Sequence, residues 1–136
     1  MFLLDTNAVS ELRRPERANR KLLKWASSAP ADSTFLSAIT VLELELGILL
    51  MERKDQDQGK ILRAWLETRI LPRFETRILA VDTAVALRCA RLHVPDPRCE
   101  RDALIAATAL VHGMTIVTRN TADFAPTGAP IICPWD

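Results

Sequence analysis

The chain has 136 residues, 49% of them apolar and 26% charged, with a formal net charge of +1. One domain is the expectation at this length, with enough buried surface for a core that needs no disulfide or metal staple. The balance excludes a disordered chain, a collagen-like repeat and a coiled-coil rod; the near-neutral charge excludes nucleic-acid binding by bulk electrostatics, so any such contact must rest on local arrangement.

Arg outnumbers Lys 14 to 4, and Arg is the better planar phosphate ligand. Cys89, Cys99 and Cys133 are an odd set without metal-ligand spacing and read as reduced thiols in a cytoplasm. No apolar run reaches the roughly 18 residues of a membrane span. Met1-Phe2-Leu3-Leu4-Asp5 lacks the basic start and long apolar stretch of an export signal.

In chain order, Phe2–Leu4 reads as a short buried strand and residues 6–12 as a short helix. Pro15 is placed at the start of a second helix, with Leu22, Leu23 and Trp25–Ala26 as its apolar stripe. Thr34–Ser37 is a strand. Thr40 opens a helix with Leu42, Leu46, Leu49 and Leu50 on one face. Asp55 caps another, in which Ile61, Leu62, Trp65 and Leu66 recur at helical spacing. Ile78–Val81 is a strand, and Asp82 caps a helix through Leu92. Pro95 and Pro97 make 93–99 a loop. Arg101–His112 is an apolar helix ended by Gly113. Met114–Thr118 and Ile131–Cys133 are the last strands. Strands separated by helices predict an α/β fold, a single domain over 1–136 with a parallel sheet and helices on both faces. Such sheets carry their sites outside the carboxyl ends of the strands.

Four carboxylates fall beside predicted strand ends or at helix starts on that side of the sheet. Asp5 follows the first strand in Asp5-Thr6-Asn7, where a helix cap is the plainer explanation. Glu43 stands three residues after Thr40, the spacing of a capping box, a role that competes with cation binding. Asp102 sits in the first turn of the most apolar helix, where the dipole favours an acid and burial demands a partner. Asp123 follows the 114–118 strand in a segment that also suits a turn. Together they crowd like charges on one side of the sheet. A divalent cation removes that repulsion, and an all-oxygen set suits Mg²⁺ or Mn²⁺ rather than Zn²⁺.

Leu4-Asp5-Thr6-Asn7, Ser37-Ala38-Ile39-Thr40-Val41-Leu42-Glu43-Leu44-Glu45-Leu46-Gly47, Asp102-Ala103-Leu104-Ile105-Ala106-Ala107-Thr108-Ala109 and Val117-Thr118-Arg119-Asn120-Thr121-Ala122-Asp123-Phe124 run in one order across nearly the whole chain. In this the sequence resembles the PIN-domain ribonucleases, specifically VapC-type toxins of bacterial toxin–antitoxin pairs, the FitB-like subgroup. The resemblance implies that Asp5, Glu43, Asp102 and Asp123 form the metal site, supported by Asn7 and the Thr118 hydroxyl. It implies Mg²⁺- or Mn²⁺-dependent endonucleolytic cleavage of RNA by an activated water, leaving 5′-phosphate and 3′-hydroxyl ends. It also implies a cognate antitoxin.

The rest of the sequence narrows the alternatives. His112 precedes Gly113 at a helix end and needs no catalytic role. His93 with the cysteines lacks the usual zinc spacings. A haloacid-dehalogenase-type phosphatase needs a second Asp where Asn7 stands and a late Lys, but the last lysine is Lys60. A phosphorelay receiver domain wants the same late Lys and an N-terminal acidic pair. A PIN-like domain that binds without cutting stays open, and a nuclease assay with metal and with EDTA separates it. Arg13, Arg14, Arg98, Arg101 and Arg119 are phosphate-holding candidates. Leu62, Trp65, Leu66 and Ile70 on the 55–71 helix suggest a surface for a homodimer.

Overall fold

A computed structural model describes residues 1–136. The strands β1 (Phe2–Leu4), β2 (Thr34–Ser37), β3 (Ile78–Leu79), β4 (Thr115–Val117) and β5 (Ile131–Ile132) form one sheet in the order β3-β2-β1-β4-β5. Every neighbouring pair is parallel, so all carboxyl ends lie along one edge. The strands are short, and their residues alternate between two cores. Leu3 and Ile116 enter one with Val85, Ile105 and Phe124; Leu4, Leu36 and Val117 enter the other with Val9, Leu44 and Leu66. Helices therefore cover both faces, as a parallel sheet requires.

The helices are α1 (Thr6–Leu12), α2 (Arg20–Ser28), α3 (Ala38–Lys54), α4 (Gln56–Trp65), α5 (Leu71–Arg73), α6 (Thr83–Leu92), α7 (Glu100–His112) and α8 (Thr121–Phe124). A π-helical turn, Leu66–Ile70, joins α4 to α5. Three expected end signals are in place. The Asp55 side chain accepts from the N–H groups of Asp57 and Gln58, Asp82 accepts from Val85, and Gly113 ends α7 at φ 65°. Positive φ is where glycine has the advantage over any residue with a Cβ.

Several expectations are corrected. The second helix starts at Arg20, not Pro15, because Asn19 caps it, accepting from the N–H groups of Lys21 and Leu22. Residues 14–18 instead make turns, Arg17 N–H to Arg14 O and Ala18 N–H to Pro15 O. The third helix starts at Ala38, not Thr40. Ser37 is its cap, its hydroxyl accepting from Ile39 N–H at 3.0 Å, so no Thr40–Glu43 capping box forms. The Thr40 hydroxyl is buried without a partner. β3 ends at Leu79 and β5 at Ile132, one or two residues short of the expected bounds.

The apolar stripe of α3 is also reversed. Leu42, Leu46, Leu49 and Leu50 are 48%, 38%, 48% and 61% exposed, whereas Ile39, Thr40, Leu44 and Ile48 are buried. On the following helix Leu62, Trp65, Leu66 and Ile70 pack into the second core, and only Ile61 is left out at 50% exposure. The open apolar face thus belongs to α3, not to the 55–71 segment.

Candidate metal centre at the carboxyl edge of the sheet

The chain leaves β1 at Asp5 and turns at once into α1, with Asp5 as its cap. Its Oδ1 accepts the Thr6 N–H at 2.8 Å; its Oδ2 accepts the Thr118 hydroxyl at 2.7 Å and the Asn7 amide at 3.2 Å. Thr118 directly follows β4, the neighbouring strand, and its hydroxyl also accepts Asn120 N–H at 3.0 Å. Asn7 Oδ1 accepts Arg119 N–H at 3.3 Å. Asp5 is 4% exposed, a carboxylate held by three donors in a nearly dry place.

Glu43, freed from helix capping, reaches across to this edge. Its Oε1 accepts the Thr6 hydroxyl at 2.7 Å, and its Oε2 lies 3.7 Å from an Arg101 guanidinium nitrogen. Asp102 in the first turn of α7 and Asp123 in α8 both line a cleft of about 240 Å³ with Arg98, Cys99 and Thr127. The structure therefore draws Asp5, Glu43, Asp102 and Asp123 to one edge, three of them from helix starts and Glu43 from the second turn of α3, and gathers Asn7 and Thr118 around Asp5.

The electrostatics follow from that crowding. Burial pushes the Asp5 carboxyl above its usual range; the Thr118 and Thr6 hydrogen bonds oppose the shift, and Asp102 and Glu43 add to it. Burial also raises Asp102, joined by the charges of Asp123 and Glu43 and opposed by the Cys99 thiol and Arg101. A carboxyl raised on folding binds more protons folded than unfolded. The metal-free protein should therefore gain stability as pH falls through the raised values toward the ordinary carboxyl range, and lose it as pH rises again. Calorimetry without metal should show Tm rising as the pH is lowered from neutral toward the ordinary carboxyl range. Millimolar Mg²⁺ should remove most of that slope by replacing the proton as counter-charge.

The five arginines do not share one location. Arg101 and Arg119 stand at the carboxylate edge. Arg98 donates to the carbonyl oxygens of Leu92 and Pro126, which fastens the 93–99 loop. Arg13 lines a different cavity, about 450 Å³, together with Leu4, Trp25, Trp65, Arg69 and Phe74. Arg14, next to it at the end of α1, is half-buried.

Sequence reasoning missed one cluster. Cys89 Sγ lies 3.8 Å from His93 Nε2 and 4.0 Å from Glu100 Oε1, and His93 Nε2 is 3.7 Å from Glu100 Oε2. The four-residue spacing of Cys89 and His93 was its only local signal, since Glu100 belongs to the next helix. His93 Nδ1 accepts Arg98 N–H at 3.1 Å, which assigns the ring proton of the neutral form to Nε2. Burial also pushes the Cys89 thiol up, away from thiolate. Both facts suit a hydrogen-bonded anchor for the loop better than a metal ligand set.

The family model described as PIN domain matches residues 2–128. The "Plasmid stability protein StbB" of Pseudomonas syringae pv. tomato is 39% identical over 142 residues, covering 100% of this chain and 99% of that one. The "VapC ribonuclease Y4jK" of Sinorhizobium fredii is 35% identical over 141 residues, covering 100% and 99%. Among solved structures, that of FitAcB from Neisseria gonorrhoeae superposes with a TM-score of 0.90 at 37% identity, covering 99% of each chain. The chain belongs to the PIN-domain family. Within it the chain is FitB-like, and VapC ribonuclease relatives support nuclease activity. The solved neighbours are toxin–antitoxin complexes, and PIN ribonucleases generally use a divalent metal.

Proposed function

We propose that this protein is a metal-dependent endoribonuclease toxin held in check by a cognate antitoxin. The observation that carries the reading is the buried Asp5, raised by burial and by the charges of Asp102 and Glu43, beside an Asp102 raised in turn by burial and by the charges of Asp123 and Glu43. Such a set of oxygen donors fits a hard divalent cation, Mg²⁺ or Mn²⁺, held by Asp5, Glu43, Asp102 and Asp123. When bound, the cation supplies a water of lowered pKa for in-line attack on phosphorus and offsets charge on the phosphoryl oxygens. Thr118 and Asn7 fix the Asp5 oxygens, Thr6 fixes Glu43, and Arg101 limits the net negative charge that an incoming phosphate meets. Arg101 and Arg119 are the arginines placed to hold RNA phosphates. Arg13 is assigned to the apolar cavity instead, and Arg98 to the loop.

The 450 Å³ cavity suits an apolar stretch of the antitoxin, with acidic side chains against Arg13, Arg69 and Arg73. The exposed leucines of α3 suit a second copy of the chain. Free cysteines accord with a reducing cytoplasm, and no helix is long and apolar enough to cross a membrane.

The test is cleavage of single-stranded RNA with Mg²⁺, with Mn²⁺ and with EDTA, followed by end mapping. Cleavage dependent on metal, with 5′-phosphate and 3′-hydroxyl ends, and inhibition by the product of the neighbouring reading frame are expected. RNA binding without cleavage under any metal would leave a non-catalytic domain. The dimer has its own check. Leu46→Glu should weaken association at least about tenfold, since burying one leucine is worth about 1.5–3 kcal/mol. Light scattering at micromolar concentration should then move from dimer to monomer; a wild-type protein that is already monomeric sinks this claim.

A further inference from the structure

One C-terminal side chain that the site does not use, Trp135, is linked to it through a chain of polar contacts. Glu11, at the end of α1, takes the Trp135 indole N–H on both carboxylate oxygens, at 3.2 and 3.1 Å, and Asn19 N–H at 2.8 Å. The Arg119 guanidinium lies 3.9 Å from the same Glu11, and its side chain is 66% exposed. Arg119 is in turn tied by its own N–H to Asn7, the residue that donates to Asp5. An indole and a guanidinium thus meet one carboxylate, three contacts away from the buried acid.

Trp135 differs from the other aromatic residues in lying past the carboxyl end of a strand. Trp25 and Trp65 line the large cavity with Phe74, and Phe124 is fully buried in the first core. Phe2 begins β1 at the opposite edge of the sheet and packs edge-on against Trp25 at 5.1 Å. Trp135 comes three residues after β5, past the carboxyl end of that strand, where part of its ring packs against the second core and the rest is open to solvent. Unpaired nucleobases bind on aromatic rings and on the planar faces of guanidinium groups, with phosphates on the same arginines.

We infer that Trp135 and Arg119, held in place by Glu11, form a platform for a nucleotide flanking the scissile bond of single-stranded RNA. Trp135 supplies the stacking face and Arg119 the phosphate contact. Glu11 is a positioning residue: it anchors the indole by its N–H and gives the guanidinium a partner outside the acidic centre. This rests on the ribonuclease reading above and adds the side chains that grip its substrate.

The test uses Trp135→Phe and Trp135→Leu in the full chain. Both lose the N–H that Glu11 holds, but only Trp135→Phe keeps an aromatic face. A tie-down of the C-terminus predicts equal damage from the two; stacking predicts rescue by Phe. With a single-stranded RNA oligonucleotide and Mg²⁺, Trp135→Leu should raise KM about tenfold with kcat within about twofold, the size of a lost base–aromatic stack. Trp135→Phe should stay within about threefold of wild type. Binding of the same labelled oligonucleotide in EDTA, where cleavage is blocked, should show the same ranking. If Trp135→Leu fails to fold, quenching of tryptophan fluorescence by the oligonucleotide decides: it should be strong in wild type and largely lost in Trp135→Phe. A Trp135→Leu protein with wild-type KM, Phe and Leu variants equally impaired, or quenching unchanged in Trp135→Phe overturns the platform. Oligonucleotide binding that follows this ranking across wild type and both variants, with no cleavage by the wild-type protein, overturns the ribonuclease reading instead.

Discussion

Asp102→Asn should abolish RNA cleavage, a loss of at least about a thousandfold or ~4 kcal/mol of transition-state stabilisation, while leaving the protein folded. Asn keeps the shape of Asp102 and its place in the first turn of α7, but removes one negative charge from a group that senses Asp123 and Glu43. Tm without metal should therefore hold or rise, and the stabilisation by Mg²⁺ should shrink. Asp5→Asn should be equally inactive but less stable. Both Asp5 oxygens accept hydrogen bonds, so either orientation of an amide sets its NH₂ against Thr6 N–H or against Thr118 and Asn7. A buried group left unsatisfied in this way costs about 1–3 kcal/mol, which offsets the relief of repulsion. Expression of either variant should no longer arrest growth. Cleavage at the wild-type rate under saturating Mg²⁺ would falsify the ligand assignment at that position.

What could be read from the sequence is what local chemistry settles. The caps at Asp55 and Asp82 and the Gly113 stop depend on neighbours within a few residues, and they stand as expected. The parallel sheet followed from short strands alternating with helical segments. Helix α3 was harder, because apolar side chains occupy positions 39, 41, 42, 44, 46 and 48–51, nearly all round the helix. Periodicity cannot then choose a face. The choice was made by packing, through Ile39, Leu44 and Ile48, and it turned Leu42 and Leu46 outward. The start of the same helix offered two capping hydroxyls, Ser37 and Thr40, and the end of β2 favoured the earlier one.

The acids were visible for a different reason. A parallel sheet sends its carboxyl ends to one edge, so Asp5, Glu43, Asp102 and Asp123 could be grouped from topology alone. Groupings that need side-chain reach were not visible. Glu11 and Trp135 are 124 positions apart, and Cys89 meets Glu100 only because α6 and α7 pack side by side. The arginines divided on the same ground: sequence could number them, but only the fold separates Arg119 at the edge from Arg13 in the cavity.

Glu43→Gln should lower cleavage ten- to a thousandfold and recover in part at high Mg²⁺. The capping explanation for this residue fails on geometry, because Ser37 caps α3 and Glu43 bonds the Thr6 hydroxyl instead. Gln can still accept from Thr6, so the link between α1 and α3 survives. What is lost is one charge, and with it the partner of Arg101 at 3.7 Å. The freed guanidinium then leaves a more positive edge that holds a divalent cation less well, so the deficit should appear first as weaker metal affinity. Each 1.4 kcal/mol lost there is about a tenfold rise in the Mg²⁺ needed for half-maximal rate. Thermal stability without metal should change little, since one charge is removed from a repulsive group and one partner from a half-exposed arginine. Titration of the cleavage rate against Mg²⁺ separates the outcomes. A midpoint shifted upward with a recoverable maximum fits a metal-holding Glu43; an unchanged midpoint and rate would leave a site of three carboxylates, with Glu43 serving only to join Thr6 to α3.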